Sequence, residues 1–256
     1  MRRGFVRTLW GDYGDPRRLF NCRGKMDDDI SLIRHNKYEY QLNPTYYIFG
    51  ENNFKLMQDM GFNCKLLDKR PFVYGENESM FKHKIDAYVA ATDDFDEFVF
   101  LDLDCMLIKP LPEDFWERCY EKEAIQGSLM IYKRRKAKWR KSDTRKIPCA
   151  CYMYFRNKEM VYGVLRAWEK SKIESEEVAA ARFIDEYSGG WKGLDYYWEH
   201  FEPDFYAMSR NIVYDQKDYV YKDIRFHHFH ENSEVTHYLD KIAKKDLPEW
   251  AKEGYE

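Results

Sequence analysis

The first half of the chain alternates short apolar runs with amphipathic segments. Runs of β-branched and aromatic residues predict strands at 5–10, 45–49, 63–67 and 97–103, and apolar residues at helical spacing predict helices at 52–60 and 79–91. Alternating strands and helices imply crossover connections, which join parallel strands. The pattern therefore predicts an α/β fold around a largely parallel sheet.

The second half has a less regular pattern. It predicts strands at 151–155 and 223–229 and helices at 160–170, 174–182 and 194–200. No internal repeat is visible in it. With 256 residues, the chain is long enough for one substantial core and too short for two fully independent domains. We therefore expect a single domain over 1–256.

Composition and charge narrow the class of protein. The chain is 34% charged and 18% aromatic, which indicates a folded protein and not a disordered one. A formal net charge of -3 excludes a whole-protein attraction to nucleic acid or anionic membranes, so such binding would need a local basic patch. No apolar run reaches signal-peptide or membrane-span length, so we expect a cytoplasmic protein. The 6 cysteines are scattered, which suits reduced and mostly buried thiols.

Two aspartates mark the point where the strand at 97–103 loses its apolar character. Asp102 and Asp104 are two residues apart, and side chains at i and i+2 of an extended chain point to the same side. Both carboxylates can therefore converge on one cation, in the crevice outside the carboxyl ends of parallel strands where open α/β sheets bind ligands. A D-x-D triplet also occurs by chance in solvated turns, but the apolar strand before it and the proline-containing IKPLP after it favour a site.

A hard divalent cation is the natural ligand of such a pair. Mg²⁺ and Mn²⁺ take oxygen ligands and prefer one or two carboxylates together with substrate phosphates. A cation held in this way neutralises the charge that develops on a departing phosphate oxygen. The chemistry predicted for Asp102 and Asp104 is therefore displacement of a nucleoside diphosphate.

The segment EFVFLDLDCMLIKPL at 97–111 resembles the D-x-D strand of GT-A-fold glycosyltransferases, particularly glycogenin-like and related bacterial and viral enzymes. The resemblance implies a single GT-A (Rossmann-like) domain with a mixed, mostly parallel central sheet flanked by helices. It implies a nucleotide-binding half at about 1–111 and an acceptor-side half at about 112–256. The activity implied is transfer of a hexose from a UDP-sugar to a hydroxyl acceptor.

Two further stretches extend the resemblance. TLWGDYG at 8–14 is similar to the first strand and loop that clasp the nucleoside, which implies that Thr8, Trp10 and Tyr13 lie near the nucleotide. CACYMYF at 149–155 resembles the strand behind the donor sugar, but it lacks the Asn and Gly usual there. The identity of the sugar is therefore not carried over.

The resemblance also assigns residues to the donor. The helix before the D-x-D strand commonly carries a basic residue that reaches the donor, and Lys84 fits best, with Lys82 as the second choice. Either lysine could instead be an exposed helix charge. Asp195, in GGWKGLDYYWEHF, occupies the place of an acidic residue beside the reacting sugar, either binding its hydroxyls or acting as general base in an inverting enzyme. Its competing role is a helix N-cap.

The third metal ligand is implied by a late strand. DIRFHHFHENS at 223–233 resembles the strand whose histidine completes the metal site in glycogenin-like enzymes, and His228 fits best because an aromatic residue follows it. His230 is the alternative. An imidazole beside Asp102 and Asp104 favours Mn²⁺ over Mg²⁺. The Gly and Lys-Pro-Trp that follow in the family are absent here, so the loop over the phosphate must be built differently.

A basic run precedes the strand at 151–155. Residues 132–146 carry nine Lys or Arg against one Asp. Basic residues with an interleaved aromatic ring often make nucleic-acid contact surfaces. The candidate acceptor-side residues are Arg134, Arg135, Lys138, Trp139 and Arg140. DNA or RNA with a hydroxylated base, an anionic glycan, another glycan or protein acceptor, and a purely structural surface all stay open.

Two other classes of function remain as alternatives. A nucleotidyltransferase also binds nucleotides on an α/β sheet with carboxylate-held metal, but the loop GDYGDPRR is poorer in glycine and more acidic than such enzymes require. A non-catalytic nucleic-acid-binding module would use the basic run at 133–146 and leave the carboxylates structural. That module leaves the combination of Asp102, Asp104 and His228 unexplained.

Overall fold

A computed structural model describes residues 1–11, 38–71, 80–103, 105–107, 110–121, 126–133, 144–170, 176, 179–180, 182–183, 207–209 and 226–228. The strands are β1 Arg3–Leu9, β2 Thr45–Phe49, β3 Asn63–Leu67, β4 Glu97–Leu101, β5 Cys105–Leu107, β6 Gln126–Lys133, β7 Thr144–Phe155, β8 Ala207–Ser209 and β9 Phe226–His228. The helices are α1 Glu39–Leu42, α2 Glu51–Asp59, α3 Met80–Ala91, α4 Phe115–Glu121 and α5 Lys158–Lys170.

The strands form one large sheet and one small sheet. The six-stranded sheet has the order β3-β2-β1-β4-β7-β6, and the three-stranded sheet has the order β5-β9-β8. In the large sheet, β1 to β4 are mutually parallel, whereas β7 pairs antiparallel with both β4 and β6. The predicted fold class, an α/β fold with a mixed and mostly parallel sheet flanked by helices, is confirmed.

The large sheet is covered on both faces because its central strands are apolar on both sides. Phe98 and Phe100 of β4 pack into a buried cluster with α3 and α5. Val99 and Leu101 point to the opposite face and pack with α4 and β9. This alternation follows from the two-residue period of a strand. A strand that is apolar on both faces belongs in the middle of a covered sheet, where β4 lies.

Several boundaries differ from the sequence-based prediction. Strand β4 ends at Leu101, not at 103, because the chain turns there: the Cys105 N–H donates to the Asp102 carbonyl, 3.0 Å away. Strand β7 begins at Thr144, well before the predicted 151, because it forms a hairpin with β6. The prediction missed β6 altogether, because the apolar run within QGSLMIYK at 126–133 is short and does not by itself distinguish a strand from a helix. The predicted helix at 194–200 lies outside the described residues.

Two expectations from composition can be compared with the described part of the chain. Cys64, Cys105, Cys119 and Cys151 are all free thiols, and the last three are buried, as predicted. No helix within the described ranges has the length and apolar character needed to cross a membrane.

We expect Phe100→Ala to lower the free energy of unfolding by about 3–5 kcal/mol, because it opens a cavity in the core. The Phe100 ring is fully buried and meets the Tyr88 ring edge-on, with 4.6 Å between centroids. Urea unfolding measures the loss. Leu66→Ala is the control, because Leu66 is 44% exposed on the edge strand β3 and should cost only about 0.5 kcal/mol. Equal losses in the two variants would contradict the packing described above.

Candidate functional site

The order of the strands creates a crevice at one edge of the large sheet. From β1 the chain proceeds outward to β2 and β3, and then returns to β4 on the other side of β1. Open α/β sheets bind ligands at such a reversal, outside the carboxyl ends of the strands. Trp10 directly follows β1 and Asp102 directly follows β4, so both lie at this crevice.

Hydrogen bonds hold the backbone of Asp102 at both its N–H and its carbonyl. Its N–H donates to the Cys151 carbonyl of β7 at 2.9 Å. Its carbonyl accepts from the Cys105 N–H and from the guanidinium of Arg7 on β1. The turn between β4 and β5 is therefore held by two neighbouring strands, and the direction in which the carboxylate leaves the sheet is set by these contacts.

Lys84 reaches this carboxylate because of its position on α3. Lys84, Tyr88 and Ala91 are spaced for one face of the helix, and the latter two are fully buried against the sheet. The Lys84 Nζ lies 2.7 Å from Oδ1 and 2.9 Å from Oδ2 of Asp102. By contrast, Lys82 lies on another face and pairs with Asp86 one turn later. Of the two lysines, only Lys84 faces the crevice.

A second carboxylate completes this cluster. The Glu176 Oε1 lies 2.8 Å from the Lys84 Nζ, and Glu176 is only 2% exposed. Burial alone would lower the pKa of Lys84, but the carboxylates of Asp102 and Glu176 outweigh it, so the pKa is held well above its ordinary value. The cluster thus combines one ammonium with two carboxylates and has a net negative charge.

Hydrogen bonds also hold residues 8–11, where the segment predicted to bind the nucleotide begins. Thr8 is buried in β1 and its hydroxyl donates to the Tyr47 carbonyl at 2.8 Å, whereas Trp10 is half-buried against the core beside α3 and α5. The Asn53 side-chain amide donates to the carbonyls of Gly11 and Phe49. These contacts place the chain after β1 over the end of β2, at the crevice.

The donor atoms at this edge suit a divalent cation. The Asp102 side chain is 19% exposed at the crevice, and the antiparallel pairing of β5 with β9 places residue 228 opposite Cys105. Carboxylate oxygen and imidazole nitrogen are ligands that Mn²⁺ accepts. Among the described residues, no three His, Cys, Asp or Glu side chains converge on one point. A complete site would need Asp104 and the imidazole of His228, whose side chains are outside the described part.

The structure therefore brings together two of the predicted site residues, Lys84 and Asp102, and pairs the backbone of His228 with Cys105, three residues after Asp102. The predicted site residues that lie outside the described ranges are Tyr13, Asp104, Asp195, Arg134, Arg135, Lys138, Trp139 and Arg140. Their roles stay predictions.

The sequence-based prediction missed Arg7 and Glu176, which hold Asp102 and Lys84 in place. Arg7 could have been noticed, because it is a lone charge inside the apolar run FVRTL, and a charge within a buried strand requires a partner. Glu176 gave no comparable signal, since it lies in a segment rich in glutamate.

No known protein family matches the chain, and no curated protein sequence matches it significantly. Among solved structures, the apo form of the glycosyltransferase GlyE of Streptococcus pneumoniae TIGR4 covers 99% of this chain at 14% identity and a TM-score of 0.42. The chain spans 62% of the length of that structure. Apo mouse xyloside xylosyltransferase 1 covers 91% of this chain and 100% of its own, at 12% identity and a TM-score of 0.42.

The galactosyltransferase LgtC, in complex with donor and acceptor sugar analogues, covers 98% of this chain and 99% of its own, at 11% identity and a TM-score of 0.41. These three similar structures are glycosyltransferases by description. At such low scores and identities the likenesses carry no argument about this chain's activity. The activity is therefore inferred from the side chains at the crevice.

We expect Lys84→Met to lower the free energy of unfolding by about 3–5 kcal/mol, because it leaves the carboxylates of Asp102 and Glu176 without their buried partner. Lys82→Met is the matched control. It removes a half-exposed pair and should cost less than about 1 kcal/mol. Urea unfolding of both variants and the wild type measures the difference.

The pH dependence of this difference tests the raised pKa of Lys84. A lysine whose folded pKa is raised contributes its full stability below the unfolded pKa of about 10.4 and loses it only as pH rises through the folded pKa. The gap between wild type and Lys84→Met should therefore be the same at about pH 7 and about pH 9.5. A gap that widens over this interval would show that burial, and not the carboxylates, controls the pKa, because a lysine with a lowered folded pKa gains stability as pH rises.

Proposed function

We propose that the chain is a metal-dependent glycosyltransferase that moves a hexose from a UDP-sugar to a hydroxyl acceptor. The observation that carries the proposal is the position of Asp102. Its carboxylate leaves the end of a buried parallel strand at the reversal of strand order, where ligands of open α/β sheets bind, and it is gripped there by the ammonium of Lys84. A carboxylate and an ammonium at one crevice suit a cation and a diphosphate.

Each residue of the site has a role in this proposal. Asp102, Asp104 and His228 would hold Mn²⁺, or Mg²⁺, and the ion would supply charge neutralisation for the departing diphosphate. Thr8, Trp10 and Tyr13 lie on the strand and loop proposed to bind the nucleoside. Of these, Thr8 has its hydroxyl bonded within the sheet, so it would act by supporting the loop and not by direct contact.

Lys84 would orient the diphosphate. Its ammonium also pairs with Glu176, so it would keep a carboxylate partner when Asp102 takes another one. A fixed cationic group beside a phosphate is the kind of preorganised electrostatic contact that stabilises a leaving group. Glu176 is therefore a proposed positioning residue for Lys84.

The transfer breaks the bond between the anomeric carbon and the diphosphate oxygen and forms one from that carbon to the acceptor oxygen. The nucleoside diphosphate leaves with the electron pair, and the acceptor hydroxyl gives up its proton. Asp195 is the candidate residue beside the sugar, either binding its hydroxyls or taking that proton. Asp195 would be the general base in an inverting enzyme, and the stereochemistry of the product is the measurement that decides its role.

We propose that the basic run at 133–146 faces the acceptor. Its two ends belong to β6 and β7, which pair as far as Lys133 with Thr144, and β6 is the edge strand of the large sheet. Nine basic residues against one Asp in 132–146 suit an anionic acceptor, such as an anionic glycan or DNA with hydroxymethylated bases.

We expect the protein with Mn²⁺ to release nucleoside diphosphate from one member of a panel of nucleotide sugars, and Asp102→Asn to reduce the rate by at least about 100-fold. The matched control is Asp114→Asn, because Asp114 is an exposed aspartate paired with Arg118 beside helix α4. Release of pyrophosphate would indicate a nucleotidyltransferase. A release rate for Asp102→Asn equal to that of the wild type would contradict the proposal. So would a wild-type protein that neither binds nor cleaves any donor.

We expect hydroxymethylated DNA to stimulate the release and the triple variant Arg134→Gln, Arg135→Gln, Arg140→Gln to abolish the stimulation. Losing phosphate contacts should also reduce the salt dependence of DNA binding, by a slope of about 1 per contact. The control removes three exposed positive charges of α5 instead, at Lys158, Arg166 and Lys170. Stimulation by an anionic glycan and not by DNA would identify the other acceptor class.

A further inference from the structure

A fully buried ion pair lies under the turn that carries Asp102. Arg7, on the central strand β1, has no solvent exposure, and its guanidinium faces the Glu39 carboxylate in a two-bond arrangement. The Nε lies 2.7 Å from Oε1 and the Nη2 lies 2.8 Å from Oε2. The Tyr46 hydroxyl of β2 donates to the same Oε1. Three chain segments thus meet at one buried charge pair.

The remaining donors of Arg7 go to the turn itself. Nη1 donates to the Asp102 carbonyl and Nη2 donates to the Cys105 carbonyl at 2.9 Å. These two carbonyls belong to the first and last residues of the turn that joins β4 to β5, Asp102 and Cys105, which is called the D-x-D turn below. The guanidinium is planar and presents its donors in a rigid fork, so it fixes both peptide units relative to each other. A buried charge is costly to keep, and Arg7 offsets that cost through Glu39 and these carbonyls.

We propose that Arg7, anchored by Glu39 and Tyr46, is a positioning residue for the metal site. It sets the orientation of the Asp102 and Cys105 peptide units, and so the direction of the Asp102 carboxylate that would take the cation. The inference rests on the proposed function. Partners that orient metal ligands in this way usually contribute about 10–100-fold to metal affinity.

The pKa values of the Arg7 guanidinium and the Tyr46 hydroxyl are both shifted upward, so both groups keep their protons. Burial alone would lower the pKa of the Arg7 guanidinium, but the Glu39 carboxylate outweighs it and raises the pKa. Burial also raises the pKa of the Tyr46 hydroxyl, with Glu39 adding to the effect, so Tyr46 remains a hydrogen-bond donor. Arg7, Glu39 and Tyr46, called the clamp below, therefore keep their hydrogen bonds to one another and to the turn.

The same strand provides a matched control. At the other end of β1, Arg3 pairs with Glu97, and the Tyr154 hydroxyl donates to that carboxylate. This trio has the same three residue types as the clamp, but Arg3 is partly exposed and also pairs with Glu117. It lies at the amino ends of β1 and β4, away from the D-x-D turn.

The test compares Arg7→Lys with Arg3→Lys, and Tyr46→Phe with Tyr154→Phe. Lysine keeps the positive charge but loses the fork that reaches two carbonyls, and phenylalanine removes one hydroxyl from each trio. Mn²⁺ is titrated in the presence of uridine diphosphate, with binding followed by calorimetry and by electron paramagnetic resonance of the ion. Circular dichroism and urea unfolding establish that each variant is folded at the temperature used.

We expect Arg7→Lys to raise the Kd for Mn²⁺ by about 10–100-fold and Tyr46→Phe to raise it by less, with the two control variants within about twofold of the wild type. If Arg7→Lys does not fold, Tyr46→Phe decides the question by itself. Unchanged Kd values in the folded clamp variants, or equal changes in the controls, would overturn the inference alone. A wild-type protein that binds no Mn²⁺ with the nucleotide would instead overturn the proposed function.

Discussion

The structure depends on how Asp102 is held from both faces of the sheet. On one face, the ammonium of Lys84 grips the carboxylate, and on the other face the guanidinium of Arg7 grips the carbonyl of the same residue. Between these contacts the chain leaves β4 and turns into β5. A carboxylate on an unsupported turn would sample many directions, whereas one fixed at both ends of its residue presents a defined position to a ligand.

The two cations that hold Asp102 are themselves held by buried carboxylates. Glu39 pairs with Arg7 and Glu176 pairs with Lys84, so each positive charge has a carboxylate partner of its own besides its contact with Asp102. This matters because an uncompensated charge in a protein interior costs several kcal/mol. The site therefore combines rigid geometry with a slight excess of negative charge, which favours a cation over an anion as the first ligand.

The likeness of the chain to solved glycosyltransferases has low scores and low identity, so the proposal depends on chemistry at the crevice. Carboxylate, ammonium and aromatic groups at the reversal of strand order suit a metal-bound nucleotide better than nucleic acid alone. The ends of the basic run lie on β6 and β7, at the edge of the same sheet, so the proposed acceptor side and the crevice belong to one sheet.

Much of the fold could be predicted from the sequence because local patterns specify it. The runs at 45–49 and 63–67 matched their strands, and the helical spacing of Met80, Ile85, Tyr88 and Val89 predicted α3, on which Ile85 and Tyr88 are fully buried. The apolar run before Asp102 identified the strand whose end carries the site. Strand β6 could not be predicted because its short apolar run does not by itself distinguish a strand from a helix. The early start of β7 could not be predicted because its basic first residues form a strand only through pairing with β6.

The sequence by itself thus determined the fold class and indicated Asp102 and Asp104 as candidate metal ligands, since periodicity and motif spacing are properties of neighbouring residues. Only the tertiary structure decided what holds those residues. Arg7 and Asp102 are far apart in the chain, as are Lys84 and Glu176, and nothing local indicates that they meet. Strand order brings their backbones together, and the requirement that buried charges be paired selects the contacts.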